Sequence, residues 1–368
     1  MKILIVGAGI AGLATYRALS LRGLDASIVE RNLHAGVGGA GLYLPGNGIR
    51  ALAELGVRHA VLDHSHPIRW QHFCDEKGSL LNAIDTSIFW RGVAPCRAIK
   101  RSVLWELLRA DIPDEAIQYR RVVNVISRPT HCEVAFEDGV REYDLVIAAD
   151  GLNSTVRNFV FPEAPHPEYV GNVCWRSIVP NRVGATDWVV MLGRRKSLLI
   201  KPVSASEVYV YADMSVSNER TAFFSANTPL MPLFRDVAGP FLNVLDATAG
   251  AQVHYGKLMR LRLDSYHRGR VVLVGDAAHA SPPSMAQGAG LAVEDALVLA
   301  EELATTYNVE NALHRYEARR KSRIDWVHRQ CAARDKMRRF PGPLRNTLLR
   351  FAGNLLYQRA YGPLMEPI

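Results

Sequence analysis

Apolar and polar positions follow two rhythms along this chain, and the switches between them mark its elements. Ile3-Leu-Ile-Val6 is a short apolar run that meets the turn Gly7-Ala8-Gly9-Ile10-Ala11-Gly12. From Leu13 the spacing becomes helical and stops at Gly23, the position just past a helix end that favours glycine. A second strand, Ala26 to Val29, then ends on Glu30. Two later apolar runs also end on an acid beside a glycine, Tyr143-Asp-Leu-Val-Ile-Ala-Ala-Asp150-Gly151 and Gly269-Arg-Val-Val-Leu-Val-Gly275-Asp276. After the latter, Met285-Ala-Gln-Gly-Ala-Gly290 leads into a predicted helix from Leu291 to Leu303. Val208-Tyr-Val-Tyr-Ala alternates with a period of two, as sheet strands do.

Lys2 followed by an apolar run also has the form of a secretory leader. Helical periodicity continuing to Gly23, with no cleavage site between, favours strand and helix instead. Strand, glycine turn, helix, strand and acid in this order make a βαβ nucleotide-binding unit. Gly7 permits the tight turn, Gly9 lets the backbone approach a pyrophosphate, and Gly12 lets helix pack on strand. Glu30 is placed to accept hydrogen bonds from an adenosine ribose. Gly36-Val-Gly-Gly-Ala-Gly41 fits the same letters, but no strand precedes it and no helix follows, so it reads as a glycine-rich loop.

Composition changes this picture little. Apolar residues make up 48% and charged residues 22%, which is ordinary for a globular chain. No apolar run approaches the roughly 20 residues that span a bilayer. Cys74, Cys96, Cys132, Cys174 and Cys331 are odd in number and form no C-x-x-C. Neither a disulfide framework nor a metal site is expected, and reduced thiols in a cytoplasm are. The net charge of +8 is local: residues 313–350 hold 12 Lys and Arg against 3 Asp and Glu. With Trp326, Phe340, Leu344, Leu348, Leu349 and Phe351 interleaved, that segment reads as amphipathic helices. Their basic side is either a solvated face or a weak contact with an anionic membrane surface. No nucleic-acid-binding motif is present.

Taken together, GAGIAG, ADGLNSTVR and GDAAHASPPSMAQGAGLAVEDA resemble the FAD-dependent aromatic hydroxylases, the single-component flavoprotein monooxygenases of the p-hydroxybenzoate hydroxylase type. Lys100-Arg101-Ser-Val-Leu104 and Cys174-Trp175-Arg176-Ser-Ile-Val-Pro180 extend the likeness over most of the chain. It implies an α/β fold: a Rossmann-like FAD-binding domain with an inserted β-sheet substrate domain and C-terminal helices. The expected boundaries are 1–68, 98–168 and 258–325 for the first, 69–97 and 169–257 for the second, and 326–368 for the helices.

The resemblance also implies roles. Gly7, Gly9, Ala11 and Gly12 would cradle the FAD pyrophosphate, with Glu30 on the ribose and Arg31 beside it. Arg101 would reach the pyrophosphate or ribityl chain, and Asp276 the ribityl hydroxyls. Asp150 begins a motif shared by FAD and NAD(P)H, and Pro283 would lie against the isoalloxazine. Gly288, Ala289 and Gly290 open the helix whose dipole favours negative charge on reduced flavin. Gly290 departs from the family's usual asparagine. NADPH or NADH would reduce the flavin, O₂ would add at C4a, and the hydroperoxide would pass one oxygen to an electron-rich ring. His279 reads as a packed or hydrogen-bonded turn residue.

No general base is assigned; His72, Tyr209, Tyr211 and Arg176 are candidates to line the pocket. Layout and length are similar to those of alkyl-quinolone 3-monooxygenases, which implies a flat, apolar aromatic or heteroaromatic substrate. Two rivals stay open. One is a flavin reductase of isoprenoid double bonds; the other is a non-catalytic flavoprotein docking through its basic tail.

Overall fold

The computed structural model describes residues 1–33, 40–306 and 308–368. A six-stranded sheet organises the first unit, in the order His267–Arg268, Val271–Leu273, Leu145–Ala148, Ile3–Val6, Ala26–Glu30, Ile117–Tyr119. Every neighbouring pair is parallel except His267–Arg268 with Val271–Leu273 at one edge. The middle strands are wholly buried, which is why they read as unbroken apolar runs rather than as alternation. Helices Ile10–Ser20 and Gly288–Thr305 pack on each other beside this sheet.

Both helices begin earlier than their periodicity suggests. The first starts at Ile10, with the Leu13 amide bonded to the Gly9 carbonyl at 3.0 Å. The second starts at Gly288 rather than Leu291, with the Leu291 amide on the Gln287 carbonyl at 2.8 Å. Apolar spacing marks only residues that face a core. Glycines in a first turn carry no such signal, although their backbone is already helical.

A seven-stranded sheet forms the second unit, in the order Val253–Arg260, Glu168–Pro180, Glu207–Ser215, Lys196–Pro202, Trp188–Leu192, Trp70–Asp75, Leu80–Asp85. Only Trp188–Leu192 with Trp70–Asp75 is a parallel pair. Its two faces differ in chemistry. Leu198, Ile200, Val208, Val210 and Ala212 point to a separate apolar core with Trp175 and Phe234. The alternate positions, Ser197, Leu199, Lys201, Tyr209, Tyr211 and Asp213, line a cavity between this sheet and the first unit.

The C-terminal helices are Val309–Arg338 and Gly342–Tyr361. Their arginines do not all stay in water, as a solvated basic face would require. Arg320 and Arg345 are 1% and 2% exposed, while Leu344 and Phe351 are 57% and 88% exposed. Arg320 pairs with Glu294 at 3.0 Å and Asp295 at 2.8 Å, both buried on Gly288–Thr305. Arg338 pairs with the buried Asp213, and Arg345 donates to the Leu192 and Gly193 carbonyls. Buried carboxylates and carbonyls need donors, and a guanidinium fork supplies several at once. No described helix is long and apolar enough to cross a membrane.

Candidate active site

The glycine turn is built by close contact on one side and open space on the other. Gly7 has φ of 105°, and a Cβ there would lie 2.6 Å from the Ala149 carbonyl oxygen. A Cβ on Gly12 would lie 1.9 Å from the Gly7 oxygen, whereas one on Gly9 would meet nothing within 4 Å. Helix Ile10–Ser20 has no side-chain cap and no acid in its first turn, so its N–H groups and positive dipole end are open to an anion.

Glu30 accepts from the Ala8 amide at 2.8 Å and the Asn32 amide at 2.9 Å, tying the turn to the next loop. Asp150 accepts the Thr155 and Val156 amides on Oδ2, while its buried Oδ1 has no partner among the described residues. Gly7, Gly9, Glu30, Arg31, Arg101 and Asp150 thus line one crevice of about 540 Å³. Gly9 and Arg101 line both this crevice and the inter-sheet cavity of about 440 Å³.

One wall of the inner cavity carries Ala11, Asp276, Pro283, Gly288 and Ala289. Asp276 opens a short helix, Asp276–His279. Its surroundings of protein raise the carboxyl above its ordinary value, against the opposing pull of His279 and Arg101. Burial lowers the Arg101 guanidinium, and Asp276 counters that. Helix Gly288–Thr305 also lacks a side-chain cap and a first-turn acid, and a Cβ on Gly288 would meet nothing within 4 Å.

Gly290 lies differently. Its Cβ position is 3.4 Å from the Gly48 Cα, so it lets two helices approach rather than facing the cavity. Gly12 likewise serves the turn from inside. His279 is buried, with Nε2 2.6 Å from Asp295 Oδ2, as its reading as a hydrogen-bonded turn residue expects.

The facing wall is the alternating side of the large sheet, where Tyr209, Tyr211 and Arg176 stand. His72 is the exception among the four lining candidates. Strand parity turns Phe73 to the cavity instead, and His72 stacks beside Trp70 at 6.1 Å. Three buried polar atoms on the lining have no partner among the described residues: Arg176 Nε, Trp188 Nε1 and Asp213 Oδ2. Met337, Arg338, Arg345 and Leu349 of the C-terminal helices close a third side.

Sequence reading missed that third wall, and it missed Lys201. The lysine had a usable signal, because it is in phase with Ser197 and Leu199 along one strand. Of the second glycine-rich stretch, Gly36 to Gly39 lie outside the described residues, while Gly41 starts strand Gly41–Leu44 beneath the Tyr209 ring.

An open phosphate turn, an uncapped helix start and a ring-sized cavity make a site for a dinucleotide cofactor with a flat ring beside it. The FAD binding domain family matches residues 1–330, and the chain belongs to it. A 2-heptyl-3-hydroxy-4(1H)-quinolone synthase of Pseudomonas aeruginosa is 31% identical, the alignment covering 100% of this chain and 98% of that protein. An FAD-dependent urate hydroxylase of Klebsiella pneumoniae is 29% identical, over 88% of this chain and 87% of its own. Among solved structures, Klebsiella pneumoniae HpxO complexed with FAD and uric acid superposes with a TM-score of 0.89. That match is at 25% identity and covers 100% of this chain and 97% of the other. These likenesses side with the monooxygenase over the reductase and the non-catalytic alternative.

Proposed function

We propose that this protein uses NAD(P)H and dioxygen to hydroxylate a flat, electron-rich heteroaromatic ring, of the size of a 4-quinolone. The observation that carries the reading is one cavity with two chemically different walls. One wall is glycine-rich backbone at the start of a helix; the other is aromatic and apolar with a few polar groups. A volume of about 440 Å³ is within the range of small-molecule sites. Open space at Gly9 and Gly288, with the unpartnered Asp150 oxygen, supports a fit of these residues to FAD.

In this reading Gly7, Gly9, Ala11 and Gly12 shape the turn that takes the pyrophosphate on the open helix start. Glu30 accepts from the adenosine ribose with the lone pairs left over from Ala8 and Asn32, and Arg31 flanks it. Arg101 donates toward the pyrophosphate or ribityl chain, Asp276 holds ribityl hydroxyls, and Asp150 borders the same crevice. Pro283, on the cavity lining, would lie against the ring. The N–H groups of Gly288 and Ala289 would stabilise negative charge on the bound ring, and Gly290 sets that helix close to Gly48. Bound FAD supplies acceptance of the hydride from NAD(P)H and activation of dioxygen. The chain binds, orients the two rings and keeps water out. In domain terms, 1–68, 98–168 and 258–325 hold the cofactor, 69–97 and 169–257 face the substrate, and 326–368 close the cavity.

The test is a screen of quinolones, purines and hydroxypyridines that follows NAD(P)H loss and oxygen uptake together. At least one ring should accelerate both in equal measure. Acceleration of NAD(P)H loss without oxygen uptake would contradict the reading and favour a reductase.

A further inference from the structure

Lys201 sits near the end of strand Lys196–Pro202 on its cavity face, and it is only 5% exposed. Three rings surround its Nζ: Tyr209 with its centre at 4.7 Å, Trp188 at 5.1 Å and Tyr43 at 5.7 Å. Among the described residues no carboxylate pairs with it and no hydrogen bond reaches it. Nearby lysines are treated otherwise: Lys100 pairs with Glu207, and Lys196 with Asp236. An amine buried without a counter-ion costs stability that an apolar residue of the same volume would not. Beside it, Trp188 presents the buried, unpartnered indole N–H.

We propose that Lys201 is the proton acceptor for the substrate, holding it as a ring oxyanion while the oxygen atom is transferred. This rests on the reading of the cavity as the ring-hydroxylating site. The substrate's ring O–H, or its tautomeric N–H, breaks heterolytically. The electron pair stays on the ring, and the proton forms a third N–H bond on neutral Nζ. The ammonium then faces the oxyanion, with the Trp188 N–H as a second donor. A ring bearing that charge is richer in electrons and takes up oxygen more readily. When the hydroxylated ring becomes aromatic again, the carbon that took the oxygen gives up its proton to water, and the pair of that C–H bond returns to the ring. The carbonyl oxygen, receiving its π pair, takes back the proton from Nζ.

The surroundings suit this task. Burial lowers the Lys201 amine to about 7, while the ring faces favour its cation, so it gains and loses a proton near neutral pH. The other groups facing it do not compete there. Burial holds the Tyr43 and Tyr209 hydroxyls protonated, and the Cys96 thiol against Tyr43 is pushed up to about 11. Arg176 acts on Tyr209 as a fixed cation, and Glu207 is engaged by Lys100.

The experiment titrates two chromophoric probes, 4-nitrophenol and 4-hydroxyquinoline, into FAD-loaded enzyme without NAD(P)H, across the pH range around neutrality. Wild type should bind them as anions one unit or more below their free ionisation. Lys201→Met should bind the neutral forms, with affinity for the anion reduced at least tenfold. Lys201→Arg should bind the anion at every pH, because it does not release the proton. Trp188→Phe keeps the ring and should lose several-fold in anion affinity, with the ionisation of the bound probe moving up by the same factor. FAD content and melting temperature check that each variant is folded. For a ring that is turned over, kcat/KM should rise with pH through about 7 in wild type, as Lys201 becomes neutral. That limb should vanish in Lys201→Met.

The proposal is overturned if Lys201→Met binds the anions as tightly as wild type, or if wild type binds neither probe. Hydroxylation with an unchanged pH profile in Lys201→Met would sink it and leave the monooxygenase reading intact. Ionisation on Lys201 without any ring being hydroxylated would do the reverse.

Discussion

At the scale of single residues, Gly9 and Gly12 lie one helical turn apart and answer to different demands. Gly9 has φ of −75°, which alanine adopts freely, and its Cβ would point into open space. Gly9→Ala should therefore fold, with a melting temperature of the apoprotein unchanged or slightly raised, since removing a glycine's freedom stabilises by about 0.4–1 kcal/mol. Its FAD affinity should fall tenfold or more, because the methyl group would enter the open space proposed to take the pyrophosphate. Gly12→Ala places carbon on the Gly7 oxygen and should fail to accumulate as folded protein. Thermal melts and FAD titration check both, and equal behaviour of the two variants would contradict the division. The tight turn at Gly7 and the close packing at Gly12 were legible in sequence because a turn's constraints are local. The orientations of Gly290 and His72 were not, since they depend on which neighbour a helix or strand packs against.

Among the elements, the two C-terminal helices depart furthest from the sequence reading. Charge count showed a basic segment but not that Arg320, Arg338 and Arg345 answer buried acids and carbonyls far away in the chain. Such pairings have no local pattern. The alternation of Val208 to Ala212, by contrast, is local, and it gave the two faces of the large sheet. Helix Gly342–Tyr361 is anchored by Tyr357 and Tyr361 against Phe89 and Trp90, with Trp90 Nε1 donating to the Tyr357 hydroxyl at 3.1 Å. Cutting the chain after Asp325 would strip Arg338 from Asp213, and losing one partner of a buried pair costs about 3–5 kcal/mol. It would also open the third wall of the cavity. The shortened protein should aggregate or lose FAD, as gel filtration and flavin absorbance would read. If it stays folded, yellow and active but no longer sediments with anionic vesicles, the helices are a membrane anchor and not a wall.

On the scale of the whole molecule, the site exists only where the two sheets meet, and neither unit alone contains it. Residues distant in sequence, such as Gly9, Lys201, Asp276 and Arg345, come together around one space. Sequence motifs point to the half proposed to hold the cofactor, because phosphate and ribose impose fixed spacings. The substrate half has no such spacing, so Lys201 and the unpartnered Trp188 N–H emerge only from the packing. The central claim is that this shared space directs one atom of dioxygen onto an aromatic ring at the expense of NAD(P)H. The most direct measurement runs the turnover of a ring from the screen under isotopically labelled dioxygen and weighs the product. One labelled oxygen atom per product, with one NAD(P)H consumed for each, is the expected result. Product oxygen that comes from water, or NAD(P)H consumed with hydrogen peroxide as the sole oxygen product, would contradict it.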